Sequence, residues 1–241
     1  MAEPEPFSHA VWTEVLQRFV DDEGLVDYAG LAADRGDFDQ YVGAVEAVSP
    51  KSHPERFSGR DEALAYYINA YNALVFQGVL ERGPETKSVW RGLISGYAFF
   101  VSMKVTVGGE KISLKALEDD IVRAEFQDPR IHAALNCASI GCPRLPQEAF
   151  DPATLDAQLD ATMQEFVSDP RHVAVEAKSR RVRLSKIFDW FTDDFLDEEK
   201  RQGRPKANLI DYVNRYRSPD SQIPRDYSIR FLPYDKGINQ Q

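Results

Sequence analysis

One histidine, both cysteines of the chain and an asparagine lie within the segment RIHAALNCASIGCPR, residues 130–144. A cysteine and a histidine can carry out thiol-dependent acyl transfer, in which a thiolate attacks a carbonyl carbon and an imidazole moves the proton. The candidates are Cys137 as the nucleophile and His132 as the base. Two other interpretations fit the same residues: a disulfide or metal clip, and an ordinary buried strand followed by a turn.

Regular secondary structure would not make His132 and Cys137 direct partners. On a strand the two side chains point to opposite faces, and on a helix they lie about 140° apart. A catalytic pair therefore requires the chain to leave regular structure near Asn136, and Gly141 and Pro143 offer such a break. The alternatives are a core histidine with satisfied hydrogen bonds and an inert buried cysteine.

A third group would have to orient the histidine. Glu118 is the candidate, because it is acidic between the apolar residues Leu117 and Ile121 of a predicted helix that leads into the His132 segment. The alternative is that Glu118 forms only the polar edge of that helix. Asn69 and Asn72 lie on one face of an otherwise apolar helix and need hydrogen-bond partners there. They either bind neighbouring backbone or face a substrate.

Metal, nucleic-acid and membrane functions are disfavoured. The pattern H-x4-C-x4-C lacks the usual zinc spacing, and no second cluster of cysteine or histidine supplies further ligands. The net charge of −10 repels nucleic acid and anionic lipid. No apolar run approaches the ~20 residues of a membrane span. We therefore expect no metal, no cofactor, no nucleic-acid partner and no membrane span.

The hydrophobic pattern predicts a single α+β domain. Helices are predicted over 11–20, 36–47, 61–82 and 151–168, and hairpins over 99–114 and at HVAVEA and RRVRLS. The helix over 61–82 is apolar on nearly every side, which predicts a buried central position. The start MAEPEPF predicts a mature, exported protein, periplasmic or secreted, whose signal peptide has been removed; a cytoplasmic protein is the alternative.

Five segments in order resemble the DUF547 family, a domain of unknown function found in bacterial proteins, often exported, and in plant proteins behind a coiled coil. The segments are AYYINAYNALV, GGEKISLKALEDDIVR, DPRIHAALNCASIGCPRL, LSKIFDWFTDDF and FLPYDKGIN. The resemblance implies an N-terminal helical segment over 1–58 that packs on a DUF547-like domain over 59–241. It also implies a central helix on a small antiparallel sheet with surrounding helices, similar to papain-like and transglutaminase-like thiol enzymes.

Together, the residues and the resemblance predict a cysteine-dependent hydrolase or acyl transferase that acts on an amide, a peptide or a glutathione-like thiol compound. Cys137 would attack, His132 would carry the proton and Glu118 would orient the imidazole. The predicted substrate-binding residues are Asn69, Asn72, Asn136, Ser139, Asp189, Trp190 and Asp235. The alternative function is a non-catalytic module that binds a small ligand or a protein partner. Both thiols are predicted to be free, with Cys142 the more dispensable.

Overall fold

The computed structural model describes residues 5–83, 86–90 and 98–241. Its N-terminal part is helical. It contains α1 (Ala10–Phe19), α2 (Tyr28–Ala33), α3 (Gly36–Ala47) and a 3-10 turn at Pro54–Arg56. The apolar periodicity predicted α1 and α3, and both are confirmed. These helices bury their apolar faces in the same core as the central helix, which places the N-terminal segment against the rest of the chain.

The central helix α4 (Arg60–Arg82) is confirmed and is buried along most of its length. Asp61 and Glu62 stabilise its first turn, where carboxylates interact favourably with the helix dipole. It ends at Gly83, whose φ of 93° is readily adopted only by glycine. Its main neighbours are α2, α3 and a helical segment over residues 114–126 rather than a sheet.

A two-stranded hairpin follows the short helix α5 (Ala98–Ser102). It pairs β1 (Lys104–Val107) antiparallel with β2 (Glu110–Ser113). Gly108 and Gly109 both have positive φ values, which the tight hairpin turn predicted at these positions requires. The hairpin is therefore confirmed, but the predicted start of its first strand at residue 99 was wrong, because residues 98–102 form a helix.

The segment after the hairpin contains an uncommon π-helix. Ser113 caps α6 (Leu114–Ala116), and the chain continues through a π-helix (Leu117–Arg123) into α7 (Ala124–Phe126). π-Helices are rare overall, and those that occur are often found at functional sites. His132 follows in the 3-10 helix Pro129–Ala133, not on a strand.

The C-terminal part contains a second core around a mixed sheet. Its elements are α8 (Leu155–Ser168), β3 (Val173–Glu176), β4 (Arg181–Leu184), α9 (Lys186–Trp190), α10 (Thr192–Arg201), α11 (Leu209–Asn214) and β5 (Ser228–Phe231). The predicted hairpin β3–β4 is confirmed as antiparallel, whereas β5 pairs parallel with β4. The chain is thus an α+β fold, with small sheets among many helices.

The two cores meet near the residues that carry the candidate chemistry. Trp190 and Tyr234 pack against both hydrophobic clusters, so the boundary between the cores runs past these rings. None of the helices in the described ranges combines the length and apolar character that a membrane crossing needs.

Candidate active site

A cavity of about 320 Å³ opens at this boundary. All three predicted catalytic residues, Cys137, His132 and Glu118, contribute to its wall, as does Cys142. Its aromatic side is formed by Tyr71, Trp90, Phe100, Trp190, Phe191 and Tyr234. In the described part of the chain, no group of three or more His, Cys, Asp or Glu side chains is arranged to hold a metal ion. Two thiols, an imidazole and a carboxyl group therefore line one partly open cavity.

An irregular loop brings the two cysteines together, at the chain break that the sequence predicted. Within it, the Asn136 side chain accepts the N–H of Ala138 at 2.8 Å and donates to the carbonyl of Pro143 at 3.0 Å. Ala138 has a φ of 59°, in the left-handed region that turns the chain sharply. As a result the sulfurs of Cys137 and Cys142, both free thiols, lie 2.6 Å apart.

The hydrogen bonds around this pair favour a thiolate on Cys142. Its Sγ accepts the backbone N–H of Cys137 at 3.0 Å and lies 3.1 Å from the Tyr234 hydroxyl. Burial opposes ionisation, but the Cys137 thiol, the Tyr234 hydroxyl and the backbone N–H groups of Ser139 and Cys137 together lower the pKa of Cys142. Burial and the adjacent sulfur raise the pKa of Cys137.

This asymmetry bears on two expectations from the sequence. The backbone donor favours Cys142 over the predicted Cys137 as the sulfur that ionises first, because the N–H of Cys137 is donated to the Cys142 sulfur. That Cys142 is the more dispensable thiol stays a prediction, although its buried sulfur accepts this N–H.

The imidazole of His132 is oriented by Asp194, not by Glu118. His132 Nε2 lies 2.8 Å from Asp194 Oδ2, and its ring stacks on Phe191 with a centroid distance of 4.0 Å. A carboxylate accepts the Nε2 proton, so the neutral tautomer leaves Nδ1 as the nitrogen that can accept a proton. Burial lowers the pKa of His132 despite this bond, which favours the neutral, basic form.

Arg123 secures Asp194 in turn. Its Nε and Nη2 atoms donate to the two Asp194 oxygens at 2.8 and 3.1 Å, and Nη1 donates to Asp119 at 2.7 Å. Burial opposes ionisation of Asp194, but the bonds from His132 and Arg123 hold its pKa below the ordinary value. Neither Arg123 nor Asp194 was among the site residues predicted from the sequence. The signal available was the acidic pair in WFTDDF, which follows the predicted site residues Asp189 and Trp190.

Glu118 has another partner. Its Oε2 accepts a hydrogen bond from the Tyr71 hydroxyl at 2.9 Å, because the π-helix directs Glu118 toward α4 rather than toward His132. Burial raises the pKa of Glu118 to about 6, and the Tyr71 bond only partly offsets this. Glu118 therefore offers the cavity a carboxyl group that changes charge close to neutral pH.

The raised pKa of Glu118 predicts a pH-dependent contribution to stability. The folded state holds this proton more tightly than the unfolded state, so the contribution is complete below pH 4.5, the ordinary value, and is lost as pH rises through about 6. The loss should amount to about 1 to 2 kcal/mol. The free energy of unfolding should fall more between pH 4.5 and 7 for the wild type than for Glu118→Gln. Equal pH profiles would contradict the shift.

The predicted substrate-binding asparagines bind backbone instead. Asn69 donates to the carbonyl of Phe150 at 2.8 Å and accepts its N–H at 2.9 Å. Asn72 donates to the carbonyl of Ala134 at 3.0 Å and accepts the N–H of Asn136 at 2.8 Å. Neither side chain lines the cavity. Both amides instead hold chain segments that cross α4, through hydrogen bonds to their backbone. The structure thus places both amides on backbone partners, and their substrate-binding role stays a prediction.

The other predicted substrate-binding residues, except Trp190, also lie outside the cavity wall. Asn136 shapes the cysteine loop, as described above. Ser139 accepts the indole N–H of Trp90 at 2.7 Å. Asp189 forms a surface ion pair with Lys186, and Asp235 accepts the N–H of Gly237. These polar side chains therefore lie outside the cavity wall and are engaged by other residues of the chain.

A comparison with protein families identifies one match. The model for "Protein of unknown function, DUF547" matches residues 54–167, a range that includes α4, the π-helix, His132 and both cysteines. Asp194, Trp190 and Tyr234 lie beyond the matched range. No curated protein and no solved structure matched the chain. The match confirms the resemblance to the DUF547 family over residues 54–167, the range that contains the predicted catalytic residues Glu118, His132 and Cys137.

Proposed function

We propose that the protein is a cysteine-dependent hydrolase or acyl transferase. The observation that carries the proposal is that one cavity contains a paired thiol whose sulfur receives several hydrogen-bond donors and a histidine bound to a carboxylate. A thiolate with a lowered pKa and an imidazole held by a third group are the components that covalent acyl transfer requires.

The reaction would begin when the Cys142 thiolate, whose proton has passed to His132, attacks a carbonyl carbon. The bond to the leaving group then breaks as His132 returns the proton to the departing nitrogen, oxygen or sulfur, leaving a thioester on Cys142. Water or a second acceptor attacks the thioester, again with proton transfer to His132, and the Cys142 thiolate leaves. Atoms and charge balance in both halves without a cofactor.

Donors near the sulfur would also stabilise the transition state. The Tyr234 hydroxyl lies within 3.1 Å of both sulfurs, and burial raises its pKa, so it stays protonated. When the Cys142 sulfur bonds to the carbonyl carbon, this hydroxyl and the N–H of Cys137 could donate to the developing oxyanion. The aromatic wall suits an amide, a peptide or a glutathione-like thiol compound with an apolar or planar group beside its carbonyl.

An acyl-trapping experiment tests the proposal. The protein is mixed with the activated ester 4-nitrophenyl acetate, release of 4-nitrophenolate is followed, and the acetylated residue is mapped by mass spectrometry at low pH. We expect a burst and an acetyl group on Cys142. His132→Ala should slow the burst by about 10²-fold or more, whereas His53→Ala, outside the cavity wall, should not. Acetylation of Cys137 would reassign the nucleophile, and no acetylated cysteine would contradict the function.

A second candidate is a non-catalytic module that binds a small ligand, favoured by the number of aromatic rings around the cavity. In that case Cys142→Ser would retain ligand affinity, and the ester would label no cysteine. The acyl-trapping result therefore separates the two functions.

A further inference from the structure

The two thiols lie closer together than a single nucleophile requires. Their sulfurs lie 2.6 Å apart, whereas a disulfide bond measures about 2.05 Å, so little movement separates the dithiol from a covalent bond. Both sulfurs face the same cavity, which gives a small oxidant access to them.

Cys142 has the surroundings of a reactive thiol. Cys137 has those of a resolving thiol, which attacks the oxidised sulfur of its neighbour. The Cys142 sulfur accepts the backbone N–H of Cys137 at 3.0 Å, and the Cys137 sulfur lies 2.6 Å from it. Cys137 is half-buried and carries no such backbone donor, but the Tyr234 hydroxyl lies 3.0 Å from it. A protonated thiol held beside a thiolate can capture an oxidised neighbour before a second oxidant arrives.

We propose that Cys137 and Cys142 form a reversible disulfide on exposure to a peroxide, with Cys142 oxidised first and Cys137 resolving it. The inference rests on the proposed function in one respect: the disulfide would remove the nucleophile and so switch acyl transfer off. The oxidation chemistry itself requires no acyl substrate.

The steps balance with hydrogen peroxide as the oxidant. The Cys142 thiolate attacks one peroxide oxygen, the O–O bond breaks, and the departing oxygen leaves as water after taking a proton, so that Cys142 becomes a sulfenic acid. The Cys137 thiol then loses its proton and attacks the Cys142 sulfur, the S–O bond breaks, and a second water leaves. Two electrons pass from the two sulfurs to the peroxide. A thiol reductant reverses the bond by exchange.

The experiment uses the full-length wild-type protein and a mass readout. Protein kept in dithiothreitol is desalted, treated with a small excess of hydrogen peroxide, and alkylated with iodoacetamide under denaturing, non-reducing conditions. We expect two labels before peroxide, none after it, and two again after dithiothreitol. A digest should contain the Cys137–Cys142 cross-link within one chain. Two labels after peroxide, sulfinic acid as the main product, or a cross-link between chains would each overturn the proposal.

Variants assign the order of events and separate this inference from the proposed function. In Cys137→Ser, dimedone should trap a sulfenic acid on Cys142, and in Cys142→Ser the trapping of Cys137 should be at least about 10-fold slower. The reverse order would overturn the assigned roles. Wild-type protein that gives an ester burst but forms no disulfide would overturn this inference alone, whereas an inactive wild type that still forms the disulfide would count only against acyl transfer.

Discussion

Replacing Asp194 by asparagine should slow the ester burst by about 10²- to 10⁴-fold. The carboxylate accepts the Nε2 proton of His132 at 2.8 Å and thereby fixes Nδ1 as the base. An asparagine can rotate its amide to donate to Nε2, which would place the ring proton on Nδ1 and remove the acceptor that the thiol needs. It would also leave Arg123 with one carboxylate partner instead of two.

Asp193 provides a matched control for this substitution. It lies next to Asp194 in the first turn of α10 but is exposed and outside the cavity wall. Asp193→Asn makes the same change of charge on the same helix, so its burst should match that of the wild type. A normal burst in Asp194→Asn, or equal losses in the two variants, would show that the His132–Asp194 contact does not serve acyl transfer.

Replacing Asn72 by alanine should lower the free energy of unfolding by about 2 to 4 kcal/mol. The amide pairs two buried backbone groups, the carbonyl of Ala134 and the N–H of Asn136, and its loss would leave both without a partner. Because Asn136 immediately precedes Cys137, the cysteine loop should also loosen. We expect the ester burst to fall by about 10- to 100-fold through this displacement. Urea unfolding and the burst measure the two effects separately.

Asn69→Ala is the control that distinguishes stability from positioning. Asn69 makes the same two kinds of bond from the same helix, but to Phe150, away from the cysteine loop. Its loss should cost a similar free energy of unfolding and leave the burst of the folded protein unchanged. If both variants lose the burst equally, the Asn72 clamp has no specific role in placing the cysteines.

Much of the fold follows from short-range patterns. The helices α1, α3 and α4 and both predicted hairpins were recognisable because apolar periodicity and glycine turns act over a few neighbouring residues. The π-helix was not recognisable from the sequence. Each of its hydrogen bonds spans one residue more than in an α-helix, and this leaves the apolar spacing almost unchanged. Glu118 lies within this π-helix and contacts Tyr71, whereas His132 contacts Asp194.

The sequence indicated which types of residue line the cavity but not which residues form hydrogen bonds with each other. His132, Cys137 and Glu118 do share a cavity wall, as their types and spacing suggested. Asp194 contacts His132 across 62 residues, a separation over which no local pattern carries information. The preference for a thiolate on Cys142 depends on which sulfur a backbone N–H reaches, and only the path of the loop decides this.

The rate of iodoacetamide labelling as a function of pH tests whether the cavity contains a thiolate on Cys142. Because the pKa of Cys142 is lowered, the thiolate should already be present below the ordinary range, and labelling should rise at lower pH than for a free thiol of pKa about 8.5. Peptide mapping of the native protein after brief labelling should find the label on Cys142 before Cys137. Labelling that begins only above about pH 8.5, or that reaches Cys137 first, would contradict the account.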